Sequence, residues 1–146
     1  MNKKLIHYLI LLAFAIIMCF PLFQNGIHTG HDGDFHIART IGTIEQFKNG
    51  ESPFIISRFS NHLGLAWNLF YPPLITFINV IFAVITGSAI TSMKIFIFLT
   101  FILSALTMYK LVDTLTQNST CALLAGIFYM LAPYRLLNAY TRLAVR

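Results

Sequence analysis

Residues 5–23 form a predominantly apolar run of nineteen residues directly behind Lys3 and Lys4. As a helix this run is about 28 Å long, enough to cross the hydrocarbon core of a bilayer. It is too long for the core of a cleaved signal, and no small-x-small cleavage site follows it. The sequence Met18-Cys19-Phe20-Pro21 does not suit lipoprotein processing either. The run therefore reads as an uncleaved anchor. The two lysines set its N-terminus in the cytoplasm by the positive-inside rule, placing the protein in the cell membrane as a multi-pass protein.

The rest of the chain is consistent with a lipid environment. Hydrophobic residues make up 57% of it and charged residues 10%, against roughly 25% charged in a soluble domain. There is too little charge to coat a water-facing surface. The net charge of +5 is spread along the chain, which gives no nucleic-acid stripe and suits contact with anionic headgroups. Cys19 and Cys121 both lie in apolar runs and read as small hydrophobes, not as a disulfide or a metal site.

The expected fold class is all-α: a polytopic transmembrane helical protein of three to four spans, forming a single membrane module over residues 1–146. Spans are expected at about 5–23, 93–112 and 121–137, the last interrupted by Pro133. An outer loop, 24–92, holds one or two juxtamembrane amphipathic helices. In the first, at about 35–48, Ile37, Ala38, Ile41, Ile44 and Phe47 share one side, and His36, Arg39, Thr40, Thr43 and Gln46 share the other. Asp34 is the expected N-cap and Asn49-Gly50 the expected stop. The second, at about 74–86, is only about 20 Å long as a helix, short for a span. If it lies in the interface, the chain crosses three times and its arginine-rich end returns to the acidic side. If it crosses, there are four spans and the terminal arginines lie inside. Length favours the former and the positive-inside rule the latter. The chain reads as the N-terminal part of a longer protein.

Chemistry concentrates just beyond the first run, in His31-Asp32-Gly33-Asp34-Phe35-His36. Two carboxylates flanking a glycine can hold a divalent cation such as Mg or Mn, leaving positions open for water and phosphate. One of them can instead serve as a general base. His31 and His36 are candidate co-ligands, and a zinc site from His28, His31 and His36 is a weaker alternative because its spacing suits no helical face. Arg39, Arg58, Arg135 and Arg142 are candidate phosphate ligands, and Arg146 joins Arg135 and Arg142 at the end of the chain. Trp67, Tyr71 and Pro72 are candidate substrate-lining residues. Each feature also has a plainer reading: an Asp-Gly-Asp helix entry, arginine anchors, an interfacial aromatic belt.

Gly30-His31-Asp32-Gly33-Asp34-Phe35-His36 with Arg39, then Phe70-Tyr71-Pro72-Pro73-Leu74, then Tyr134-Arg135-Leu136, resemble the N-terminal module of GT-C membrane glycosyltransferases. The closest resemblance is to bacterial YfhO-like and 6-pyruvoyl-tetrahydropterin-synthase-related polytopic membrane proteins. The resemblance implies two juxtamembrane helices in the first outer loop and a catalytic Asp there, Asp34 in preference to Asp32. It also implies a polyprenyl-phosphate-linked sugar as donor and a cell-envelope acceptor on the outer face, with membrane lipid as a partner and no nucleic acid. The chain is shorter than that family's members. The competing expectation is a non-catalytic integral membrane protein: an accessory subunit, a transporter fragment or a degenerate paralogue.

Overall fold

The computed structural model describes residues 3–24 and 30–142, with only the backbone of Arg142. His28 and Arg146 lie outside the described residues, as does the Arg142 side chain. The described elements are helical: α1 (Lys3–Cys19) running into a 3-10 turn (Phe20–Phe23), α2 (Gly33–Asn49), α3 (Trp67–Phe70), α4 (Pro73–Thr86), α5 (Ala89–Thr116), α6 (Ser119–Met130), α7 (Pro133–Leu136) and a π-helical turn (Leu137–Arg142). Among the described residues the one β feature is an isolated bridge between Ile56 and Leu65.

Two segments, Lys3–Phe23 and Ala89–Thr116, are long and apolar enough to cross a membrane. A third forms if Ser119–Met130 and Pro133–Thr141, bent by 43° at their junction, are taken as one broken span. The break falls where Pro133 removes a backbone donor and restricts the residue before it. Pro73–Thr86 is apolar but shorter than a span.

The core follows from three rows of residues at i, i+4 spacing, which place side chains on one helix face. Leu11, Ala15 and Cys19 of α1, Ile97, Phe101, Ala105 and Tyr109 of α5, and Ala122, Gly126 and Met130 of α6 are all buried. Small residues allow the helices to approach closely, as membrane helices require. A Cβ on Gly126 would stand 3.0 Å from Leu11 Cδ2 and 3.1 Å from the Ala105 carbonyl oxygen. Leu9, Ile10, Ile16 and Ile17 of α1 face outward, as lipid contact allows.

Polar contacts fix the register of α1 against α5. At one end Lys4 Nζ donates to Asp113 Oδ2 at 2.8 Å, and the His7 Nδ1 and Tyr109 hydroxyl lie 3.3 Å apart. At the other, Lys94 Nζ donates to the Gln24 carbonyl at 2.8 Å. The two helices are therefore antiparallel.

Helix ends follow local chemistry. Ser88 caps α5 by accepting from the Thr91 amide at 3.2 Å, and Asn118 caps α6 by accepting from Thr120 and Cys121. α5 is longer than residues 93–112, because it runs from its Ser88 cap to Gln117, whose left-handed backbone ends it. Gly50 ends α2 in the left-handed region with φ +69°, as expected for a C-cap glycine. The start of α2 differs from expectation. Asp34 lies inside the first turn; Asp32 holds the N-cap position with φ −115° and ψ −2°, and its side chain makes no cap hydrogen bond. That backbone is already helix-like, whereas a capping side chain needs an extended one to reach the following amides.

The α2 helix is amphipathic in the expected pattern, and its polar side is the buried one. Arg39, Thr40, Thr43 and Gln46 are buried, while Ile41 is 38% and Phe47 53% exposed. The polar row packs beneath the 51–72 segment. Gly42 lets that segment approach, since a Cβ there would lie 2.4 Å from Ile56 Cγ2. Cys19 is buried as expected; Cys121 is exposed near the start of α6.

Candidate functional site

The acidic turn sits at the head of α2. Gly30 and Gly33 close it through a 3.4 Å backbone hydrogen bond, and the His31 amide donates to the Thr141 carbonyl at 3.4 Å. That bond brings the turn beside the π-helical segment that follows α7. Asp34 is exposed, Asp32 partly so. Among the described residues no three His, Cys, Asp or Glu side chains gather into a group able to hold a metal ion. Helical geometry explains this, because residues two apart, such as Asp34 and His36, point to different sides. Asp32 and Asp34 together supply two carboxylates; His31 and His36 do not complete a ligand set with them.

His36 is half-buried. Burial lowers its pKa from the usual 6.5, the neighbouring Arg39 charge lowers it further, and Asp32 partly offsets both. The imidazole is thus biased to the neutral form. Phe35 lies beside it, 5.2 Å between ring centroids.

Trp67 and Tyr71, expected to line a substrate, both meet the head of α2. Their ring centroids lie 4.5 Å and 5.1 Å from that of Phe35, and Phe59 closes on Trp67 at 4.5 Å. Pro72 contributes its carbonyl. The result is an aromatic wall immediately after Asp34, built from α2, the 51–66 segment and α3.

The arginines divide by role. Arg39, expected to bind phosphate, is 2% exposed and serves as a strut. Its Nε donates to Asn68 Oδ1 at 2.6 Å, and its Nη2 donates to the carbonyls of Tyr71 and Pro72 at 3.1 Å and 3.2 Å. Burial lowers its pKa and Tyr71 offsets this. Arg58 pairs with Glu45 at 2.6 Å on the surface.

Arg135 is different. Its Nη2 donates to the Thr100 carbonyl at 2.6 Å and its guanidinium lies 4.4 Å from the centroid of the Phe101 ring. Its Nε is buried without a hydrogen-bond partner, as is Asn138 Oδ1. Thr100 lies six residues along α5 from Lys94, roughly 9 Å inward at helical rise. The guanidinium is therefore held against α5 beside the break between α6 and α7.

Sequence reasoning missed Asn68, the hub of the buried network. It is 1% exposed, accepts from Arg39, and donates through Nδ2 to Thr43 Oγ1 at 2.8 Å and to the Pro53 carbonyl at 2.6 Å. The available signal was an amide enclosed by the apolar residues of Trp67-Asn68-Leu69-Phe70, which must find partners if buried.

The fold places the chain in the class of all-helical proteins with apolar helices suited to a membrane. No family model matches the sequence, and no solved structure matches it. A protein of Lactococcus lactis subsp. cremoris, described as uncharacterized, is 30% identical over 124 residues, covering 82% of this chain. The chain spans 20% of the length of that relative.

Proposed function

We propose that this chain is a GT-C-like membrane glycosyltransferase module of the cell membrane, with its N-terminus cytoplasmic and α2 on the outer face. It would move a sugar from a polyprenyl-phosphate donor to a cell-envelope acceptor. The observation that carries the reading is an exposed carboxylate, Asp34, at the head of a helix walled by Phe35, Trp67 and Tyr71 and attached to apolar helices. In this reading Asp34 takes the proton from an acceptor hydroxyl. The acceptor oxygen bonds to the anomeric carbon, and the bond from that carbon to the phosphate oxygen breaks, releasing polyprenyl phosphate. Asp32, the other carboxylate of the turn, would be the residue left to hold Mg or Mn, with water and phosphate filling the remaining positions. Such an ion would neutralise charge on the departing phosphate. Of the candidate arginines, Arg135 keeps an unbonded buried donor, so the phosphate-binding role falls to it before Arg39 or Arg58.

Vesicles carrying the protein, supplied with a polyprenyl-phosphate-linked hexose and envelope acceptor, test the reading. Asp34→Asn is expected to lower transfer by about 100-fold or more while membrane insertion is retained. Full transfer by both Asp32→Ala and Asp34→Ala removes the assignment.

The engagement of Arg39 and Arg58 in internal bonds favours a second reading, a non-catalytic membrane protein in which these residues only hold the fold. In that case neither aspartate substitution alters glycan transfer in any membrane preparation, and both leave thermal stability unchanged.

A further inference from the structure

A second polar cluster lies at the bend between α6 and α7. The backbone ladder is interrupted there, since the amides of Arg135 and Leu136 both bond to the Ala132 carbonyl, at 2.9 Å and 3.2 Å. The two segments meet at 43°, and sharp bends of this kind mark a proline or an inserted side chain or water. Arg135 is anchored to α5 through the Thr100 carbonyl and the Phe101 ring, and Tyr140 is anchored to α1 by donating to the Met18 carbonyl. Asn138 stands between these two anchors in the sequence, and its neighbours Leu136, Ala139 and Tyr140 pack on the core. Two atoms of the cluster are enclosed without a partner among the described residues: Arg135 Nε, a donor, and Asn138 Oδ1, an acceptor. They belong to residues three apart on the stretch Pro133–Thr141, a spacing that makes side chains neighbours on a helix.

We propose that a single water molecule is bound at this bend, accepting a hydrogen bond from Arg135 Nε and donating one to Asn138 Oδ1. The chemistry of the pair selects the ligand. An anion only accepts, so it would satisfy the guanidinium and repel the amide oxygen. A metal ion or an ammonium group would meet the guanidinium charge. A neutral group that both accepts and donates satisfies both atoms at once. Both atoms are enclosed by protein, so the group is as small as water and not the hydroxyl of a sugar or glycerol. Leaving a buried donor and a buried acceptor bare forfeits two hydrogen bonds, and buried water commonly bridges such atoms. Membrane helices broken at proline are completed by ordered water in the same manner. The inference stands apart from the glycosyltransferase reading. A donor phosphate reaching Arg135 would displace the water and turn the Asn138 amide so that Nδ2 faced it; the water belongs to the chain without donor.

Two ways of making hydroxyl radicals test it on the full chain in lipid nanodiscs, with no donor and in phosphate-free buffer. X-ray radiolysis makes radicals from every water, bound ones included, whereas photolysis of added peroxide makes them in bulk solution. Phe101 is the reporter, because its ring lies against the Arg135 guanidinium and it is 1% exposed. Oxidation of Phe101, read by mass spectrometry, is expected to be about fivefold or more higher by radiolysis than by photolysis. Asn138→Leu and Arg135→Lys each remove one partner of the water. Each is expected to lower the radiolytic oxidation about threefold or more while helical circular dichroism is retained. Equal oxidation by the two methods overturns the proposal by opening the bend to bulk water, and no oxidation by either overturns it by showing the bend dry. Unchanged radiolytic oxidation in a folded variant overturns it as well. If Asn138→Leu does not fold, Arg135→Lys and the comparison on the unsubstituted chain decide.

Discussion

At the residue scale, Asn68 and Arg39 bear more of the architecture than their isolated positions suggest. Asn68 joins α2, through Arg39 and Thr43, to the Pro53 carbonyl, and Arg39 joins α2 to the start of α4. Removing one partner from a buried network leaves the others unsatisfied at roughly 1–3 kcal/mol per group. Asn68→Ala is therefore expected to destabilise the α2–α4 unit by about 2–3 kcal/mol, seen as a lower unfolding midpoint by Trp67 fluorescence in detergent. His36 adds a dependence on acid. Its folded pKa lies below the ordinary 6.5, so in the interval between the two values the unfolded chain binds more protons than the folded one. Stability then falls as pH drops below about 6.5, reaches a floor beneath the lowered value, and is indifferent to His36 above. Denaturation midpoints across this range should show the slope, and His36→Gln should flatten it. Asp34 was legible as a candidate site residue because acidic groups are scarce in so apolar a chain. Its place within the helix was not, because the turn before it is set by the backbone angles of Asp32, which composition does not reveal.

At the scale of the elements, caps and close approaches decide where helices stop and meet. Replacing Ser88 or Asn118 by Ala is expected to cost about 1 kcal/mol each, readable as earlier melting of helical circular dichroism. Gly42→Val should be more damaging, because its Cβ would press on the buried Ile56. Overpacking of this kind costs about 1–3 kcal/mol, and Gly50→Ala, with open space around its Cβ but a positive φ, separates backbone strain from crowding. The amphipathic pattern of α2 was legible from its 3.6-residue period, and its stop from Gly50. Which side turned inward was not. Pattern alone gives two faces, and the choice depends on whether water or lipid lies outside. The extent of α5 was underestimated for a related reason: its ends are set by Ser88 and by Gln117 in the left-handed region, not by where the apolar run thins.

At the scale of the whole molecule, the apolar runs led directly to α1 and α5. Length alone did not decide how many times the chain crosses, because the bend at Pro133 makes the third segment a broken one. Under the proposed orientation, Cys121 at the head of α6 lies on the cytoplasmic side with Lys4 and Asp113. An impermeant thiol reagent is then expected to label it in inverted vesicles and not in intact cells; the reverse pattern would turn the module over and move Asp34 to the cell interior. Gly126 has a further consequence for biogenesis. Synthesis delivers α1, then α5, then α6, and the notch at Gly126 fits only against Leu11 and Ala105 together. The seat for the third helix is therefore complete only where α1 and α5 lie side by side. A nascent chain paused between them holds an open seam, the form that insertion chaperones would meet.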